Sequence, residues 1–124
     1  MTTHGMITWS ELMTVEVDKA KAFYTATLGV TFEKFNDPEG KYWVAMVGGK
    51  PAWGIMDMTA RPGGPSGWFT YIAVDDVDTR VAAAQAGGAT LCMPLFDIPT
   101  VGRIAILQDV TGSLIGWMTP AMPA

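Results

Sequence analysis

Glu11 is a carboxylate set in an otherwise apolar run, Ile7-Thr8-Trp9-Ser10-Glu11-Leu12-Met13-Thr14, and it is the chain's clearest offer of chemistry. Burying a carboxylate is costly without a partner or an opening to water. The run has the alternation of a strand, which puts Trp9, Glu11 and Met13 on one face. A second run, Trp68 to Val74, places Phe69, Tyr71 and Ala73 in the matching positions. A carboxylate acting as general base beside a phenol acting as proton donor or oxyanion partner suits isomerisation or elimination next to a carbonyl. Glu11 and Tyr71 are therefore the candidate catalytic pair. A plain structural pairing of Glu11 with Lys41 or Arg103 is an equal alternative.

The two runs match because the chain repeats itself at about sixty positions. Thr14-Val15-Glu16-Val17-Asp18 opens a helix over Asp18 to Leu28 that Gly29 stops, with Ala20, Phe23, Tyr24 and Thr27 at spacings of three and four. Val74-Asp75-Asp76-Val77-Asp78 opens another, which ends at Gly87-Gly88. There Asp75 is expected as the cap, and Val77, Val81 and Ala84 as the buried stripe. Further strands are expected over Thr31 to Phe35, Lys41 to Val47, Ala52 to Met58, Ala89 to Met93, Arg103 to Gln108 and Leu114 to Thr119. Thr59 to Gly67, rich in Gly and Pro, reads as a linker. The expected organisation is an α+β protein of two βαβββ modules, about 6–58 and 68–120, forming a single domain over residues 1–124. Two facing sheets then build one cup.

Composition narrows the partners. The chain has 124 residues, 49% of them hydrophobic, so one domain with a sizeable core is expected. Twelve acidic against eight basic side chains, with no Lys or Arg run, argue against nucleic acid. Cys92 has no second cysteine to pair with. The opening Met1-Thr2-Thr3-His4-Gly5-Met6 lacks the basic start and apolar stretch of a signal peptide, and no apolar run is long enough to span a bilayer. A cytoplasmic protein without a membrane partner is the expectation.

Ala22-Phe23-Tyr24 followed by Leu28-Gly29-Val30, the Val74 to Asp78 helix entry, and Gly102-Arg103-Ile104-Ala105 leading to Asp109-Val110-Thr111-Gly112 resemble the glyoxalase, bleomycin-resistance and ring-cleaving dioxygenase group, the vicinal oxygen chelate superfamily. The resemblance covers the whole chain. It is nearest to the glyoxalase-like branch with a Trp-x-Glu-Leu-x-Thr start, here Trp9-Ser10-Glu11-Leu12-Met13-Thr14. It implies a divalent metal held by His and Glu near the start of the first strand and the end of the last strand of each module. Those positions fall on Trp9 and Phe69, and on or beside Gly54 and Gly116, none of which donates a nitrogen or carboxylate oxygen. The only histidine, His4, lies upstream. The expectation is a protein with no metal and no other cofactor.

In place of a metal, the sequence supplies a wall of rings and thioethers. Gly54, Met56, Gly116 and Met118 are expected to line the same cup as Trp9, Glu11, Met13, Phe69 and Tyr71, with Arg103 at a loop on its rim. Small-molecule sites are mostly apolar with a few placed polar groups, and Met surfaces are pliable. An aromatic ring beside a carboxylate suits a flat or cationic organic molecule. The leading expectation is a metal-free binding protein for a small apolar or aromatic molecule. The alternatives are a metal-independent isomerase or lyase using Glu11, and a scaffold with a vestigial pocket. Arg103 is equally open to a tie with Asp97. Open sheet edges make a homodimer the expected assembly.

Overall fold

The computed structural model describes residues 4–35 and 41–121; Met1-Thr2-Thr3, part of the stretch read above for a leader, lies outside them. The chain divides into two compact units. One is Trp9–Phe69, and the other runs from Thr70 onward and includes the residues up to Thr8.

The first module contains β1 (Ile7–Thr14), α1 (Val17–Leu28), β2 (Thr31–Lys34), β3 (Tyr42–Val47) and β4 (Lys50–Asp57). Its strands lie in the order β2-β3-β4-β1, antiparallel except for the parallel pair of β1 and β4. The second contains β5 (Gly67–Ala73), α2 (Val77–Ala86), β6 (Thr90–Leu91), β7 (Phe96–Ile98), β8 (Gly102–Gln108) and β9 (Leu114–Pro120). Its order is β5-β9-β8-β6, with β7 also on β8, and β5 runs parallel to β9. Both modules are βαβββ units with the first strand beside the last, and the fold class is α+β. The second has one strand more than the sequence pattern suggests: Phe96–Ile98, within a stretch that reads as loop, pairs with Gly102–Ile104.

The two helices differ in how they are held. In α2 the cap is Asp76, whose side chain accepts from the Asp78 and Thr79 amides, and not the expected Asp75. Asp75 instead binds Arg80 through both carboxylate oxygens, 2.9 Å each. The expected stripe forms: Val77 and Val81 are buried with Val74, Ala105 and Leu107, and Ala84 packs beside them. Burial of such side chains stabilises by about 1.5–3 kcal/mol each. The Val77 amide also donates to Thr119 Oγ1 on β9, at 2.9 Å.

Helix α1 ends as expected, with Gly29 left-handed at φ 72° and its amide on the Thr25 carbonyl. Its Glu16 cap makes no side-chain hydrogen bond to the helix amides, and no residue of the helix is fully buried. Phe23 is 57% exposed, so the expected stripe covers its sheet only partly. Tyr24 makes the main contact, edge-on to Trp53 at 5.2 Å and to Trp68 at 6.1 Å. Trp68 is itself half exposed.

Strand β3 turns into β4 through Gly48 and Gly49, both with positive φ, in a two-residue turn. The turn pairs Val47 with Lys50 and Met46 with Pro51. A β-bulge then shifts the register, so that Ala45 faces Trp53, Val44 faces Gly54 and Tyr42 faces Met56. A one-residue shift moves every later side chain to the other face. Without the bulge, Tyr42 would sit opposite Ile55, on the side of the sheet that faces α1.

Candidate functional site

The bulge brings Tyr42 to the face that carries Glu11. Parallel pairing aligns Glu11 with Gly54 and Met13 with Met56, and Tyr42 lies opposite Met56. Trp9, Glu11, Met13, Gly54 and Met56 therefore share one face of the first module's sheet with Tyr42. The helix side takes Trp43, Ile55 and Trp53. There Lys21 Nζ stands 3.4 Å from the centre of the Trp43 ring.

Glu11 is the one buried polar or charged residue of the described core, 5% exposed. The Tyr42 hydroxyl donates to its Oε1 at 2.8 Å, and Trp9 Nε1 donates to the Tyr42 oxygen at 2.7 Å. The three side chains form a relay, indole N–H to phenol O–H to carboxylate. Hydrogen bonds to a carboxylate meet the cost of taking it out of water.

Gly54 makes the relay possible. A Cβ built there would collide with the Oη, Cζ and Cε1 atoms of Tyr42. The phenol thus lies across β4, in the space a side chain at position 54 would take, to reach Glu11 on the next strand. Glycine in a strand interior often marks such a close approach. Sequence reasoning missed Tyr42, and its only signal was the apolar Tyr42-Trp43-Val44-Ala45 run, whose facing the bulge reverses.

This geometry also tests the metal expected of relatives. At position 54 there is no donor, and the room for one is filled by a phenol ring. At position 9 the indole nitrogen carries a hydrogen that is already donated. Phe69 and Gly116 supply nothing to coordinate. Among the described residues no group of three or more His, Cys, Asp or Glu converges. The residues present do not fit a divalent ion of the family kind.

In the second module, Phe69, Tyr71 and Ala73 alternate on β5, and register places Gly116 opposite Tyr71 and Met118 opposite Ala73. Phe69 is 5% exposed, Tyr71 8% and Met118 8%. Arg103 stands apart from these, on the α2 side. It donates to both carboxylate oxygens of Asp78, at 2.9 and 3.2 Å, and to Asp97 Oδ2 at 2.8 Å. The tie to Asp97 weighed from the sequence is present, and Asp78 adds the start of α2 to it. Hydrogen bonding to Asp78, then its charge and that of Asp97, hold the guanidinium above its ordinary range. An open groove of about 420 Å³ in this module is lined by His4, Gly5, Ile72, Val74, Arg80, Ala83, Ala84 and Trp117. It shares no residue with the face expected to bind. No described helix is long and apolar enough to cross a membrane.

Comparison with known proteins agrees with this architecture. The chain is 40% identical over 119 residues to the protein named "Putative glyoxylase CFP32" in Mycobacterium bovis and in Mycobacterium tuberculosis, an alignment that takes in 94% of this chain and 45% of theirs. The chain thus spans about half the length of these curated relatives. Among solved structures, a hypothetical protein of Bacillus halodurans C-125 matches with a TM-score of 0.69 at 13% identity, over 98% of this chain and 99% of that one. Methylmalonyl-CoA epimerase from Mycobacterium tuberculosis matches with a TM-score of 0.67 at 18% identity, over 98% and 93%. At such identities the likeness is one of fold. The family model described as Glyoxalase/Bleomycin resistance protein/Dioxygenase superfamily matches residues 6–116, and the chain belongs to that superfamily.

Proposed function

We propose that this member of the superfamily binds a small, largely apolar or aromatic organic molecule without a metal, on the face of the first module's sheet that carries Trp9, Glu11, Met13, Tyr42 and Met56. The observation that carries the reading is the relay from Trp9 through Tyr42 to Glu11. It fixes one carboxylate and one phenol in an otherwise apolar setting, the pattern of ligand sites with few but well-placed polar groups. The half-buried thioethers of Met13 and Met56 give that setting a pliable surface.

A second reading has its own support in the 2.8 Å bond between Tyr42 and Glu11. In it the protein is a metal-independent isomerase or lyase. Glu11 is the base that removes a proton next to a carbonyl, and Tyr42 holds the carboxylate in position. Tyr71 keeps the role expected of it as proton donor or oxyanion partner, because the one hydroxyl proton of Tyr42 is engaged by Glu11.

Native mass spectrometry and elemental analysis of protein purified from cells test both readings. The expected result is a retained organic molecule, with zinc, nickel, iron and manganese far below one per chain. A stoichiometric ion would overturn the metal-free reading. If no small molecule is retained and a panel of aromatic compounds neither quenches Trp emission nor raises Tm, the pocket is vestigial. With a ligand in hand, Glu11→Gln separates the two readings. An enzyme should keep binding but lose turnover by roughly a hundredfold or more, whereas a binder of a neutral ligand should change little and convert nothing.

A further inference from the structure

We propose that the open groove beside α2 in the second module is a separate ligand site, one that takes an uncharged aromatic molecule carrying a hydrogen-bond acceptor, such as an aryl ketone or amide. The inference is independent of the ligand reading above, because the groove shares no residue with the face that carries Glu11.

The repeat supplies the shape. Val17-Asp18 and Val77-Asp78 open the two helices sixty positions apart, so Ala83 and Ala84 of α2 stand where α1 has Phe23 and Tyr24. In the first module the chain packs those rings itself, Phe23 against Tyr24 at 5.0 Å and Tyr24 against Trp53 at 5.2 Å. In the second module two methyl groups take their place. The groove of about 420 Å³ opens beside these methyls, with Ile72, Val74 and the Trp117 indole as its apolar wall. Small-molecule sites usually measure about 300–1,000 Å³, and this volume falls among them. A flat ring seated there would gain the contact with an indole that the first module makes with its own side chains.

The rim supplies the polarity. The Asp75 amide donates to His4 Nδ1 at 3.0 Å, which puts the imidazole proton on Nε2 and makes that nitrogen a donor. Arg80 gives Nε and Nη2 to Asp75, at 2.9 Å each, and its Nη1 makes no hydrogen bond among the described residues. The two polar side chains that line the groove therefore offer donors. Charge narrows the choice further. The guanidinium is already matched by the Asp75 carboxylate, so an anionic ligand would gain little from Arg80 and be repelled by Asp75. An uncharged carbonyl oxygen accepts from such a rim without that repulsion.

NMR titration of the ¹⁵N-labelled chain with acetophenone, toluene and benzoate tests this. Acetophenone should shift the amides of Ile72, Val74, Ala83 and Ala84 and the Trp117 indole saturably. Shifts at Trp9, Glu11 and Met56 report the first module's site separately. Toluene, which has the ring without the acceptor, should bind about two- to tenfold more weakly, the worth of one hydrogen bond, and benzoate should bind no more tightly than acetophenone. Ala83→Phe places a ring at an exposed helix position and should abolish binding in the groove while the chain stays folded. His4→Ala should weaken acetophenone and leave toluene unchanged. The absence of saturable shifts around the groove overturns the proposal, and so does undiminished binding by Ala83→Phe. Benzoate binding more tightly than acetophenone, or a His4→Ala loss shared equally by toluene, overturns the assignment of an uncharged acceptor. If Ala83→Phe fails to fold, the three probes with the native chain and His4→Ala still decide.

Discussion

At the scale of single residues, the site depends on an absence. Gly54 lacks the side chain that would exclude the Tyr42 ring, and the ring in turn reaches Glu11. Sequence alone supplied Glu11, because a carboxylate between Ser10 and Leu12 in an apolar strand needs an explanation. It also placed Trp9 and Met13 beside it by simple alternation. Sequence could not supply the partner, since Tyr42 is thirty-one positions away and its facing depends on a bulge. The mutual exclusion of Tyr42 and a side chain at 54 yields a direct prediction. Gly54→Ala should force the phenol aside, at a cost of about 1–3 kcal/mol typical of overpacking. Gly54→Ala should cost much less in a Tyr42→Ala background than in the native chain, because the ring it would strike is gone. Denaturant unfolding of the two single variants and the double variant checks this. Equal stability of Gly54→Ala and the native chain would mean that the ring has no need of the space.

At the scale of elements, endings and edges were easier to read than facings. Gly29 marked the end of α1 because a left-handed C-terminal residue favours glycine, and the structure has it at φ 72°. Asp109-Val110-Thr111-Gly112 has Asp and Gly in the usual places of a turn, and the Asp109 carboxylate accepts from the Thr111 and Ser113 amides. Two neighbouring aspartates were harder to tell apart. Asp75 and Asp76 are both chemically fit to cap α2, and only the geometry of Arg80, one turn on, draws Asp75 away. Strand β7 escaped notice because Pro94 and Pro99 frame a stretch too short to show alternation. The cap assignment has a measurable consequence. Asp76→Ala should destabilise the protein by about 1 kcal/mol, the usual value of a lost N-cap. Glu16→Ala, at the start of α1 where no side-chain cap bond forms, should cost much less. Chemical denaturation of both variants gives the comparison, and equal losses would refute it.

At the scale of the whole molecule, the repeat was the most legible feature, because each copy restates a strand, a helix entry and a glycine stop in the same order. What the repeat concealed was that its copies have diverged: one helix is sealed by valines and the other faces outward with aromatic rings. Their surfaces also respond to acid in a predictable direction. Asp75 is held well below the usual carboxylate range by its hydrogen bonds to Arg80. Asp109 is lowered chiefly by the Thr111 hydroxyl and amide, and Asp57 by the backbone and side chain of Thr59. A carboxyl that is more acidic in the folded chain than in the unfolded one favours folding when ionised. That contribution is fully present above the unfolded value, about 4, and fades as pH falls towards the lower folded value. The native Tm should therefore hold steady from neutral pH to about 4 and decline below it as these three groups take up protons. Asp75→Asn removes one of them, so the Tm gap between this variant and the native chain should be largest near neutrality and narrow as pH drops from about 4 towards 2. The gap should also shrink in high salt, because the Asp75–Arg80 pair is half exposed and open to screening. A gap that stays constant across that pH range would show that Asp75 acts through packing and not through its charge.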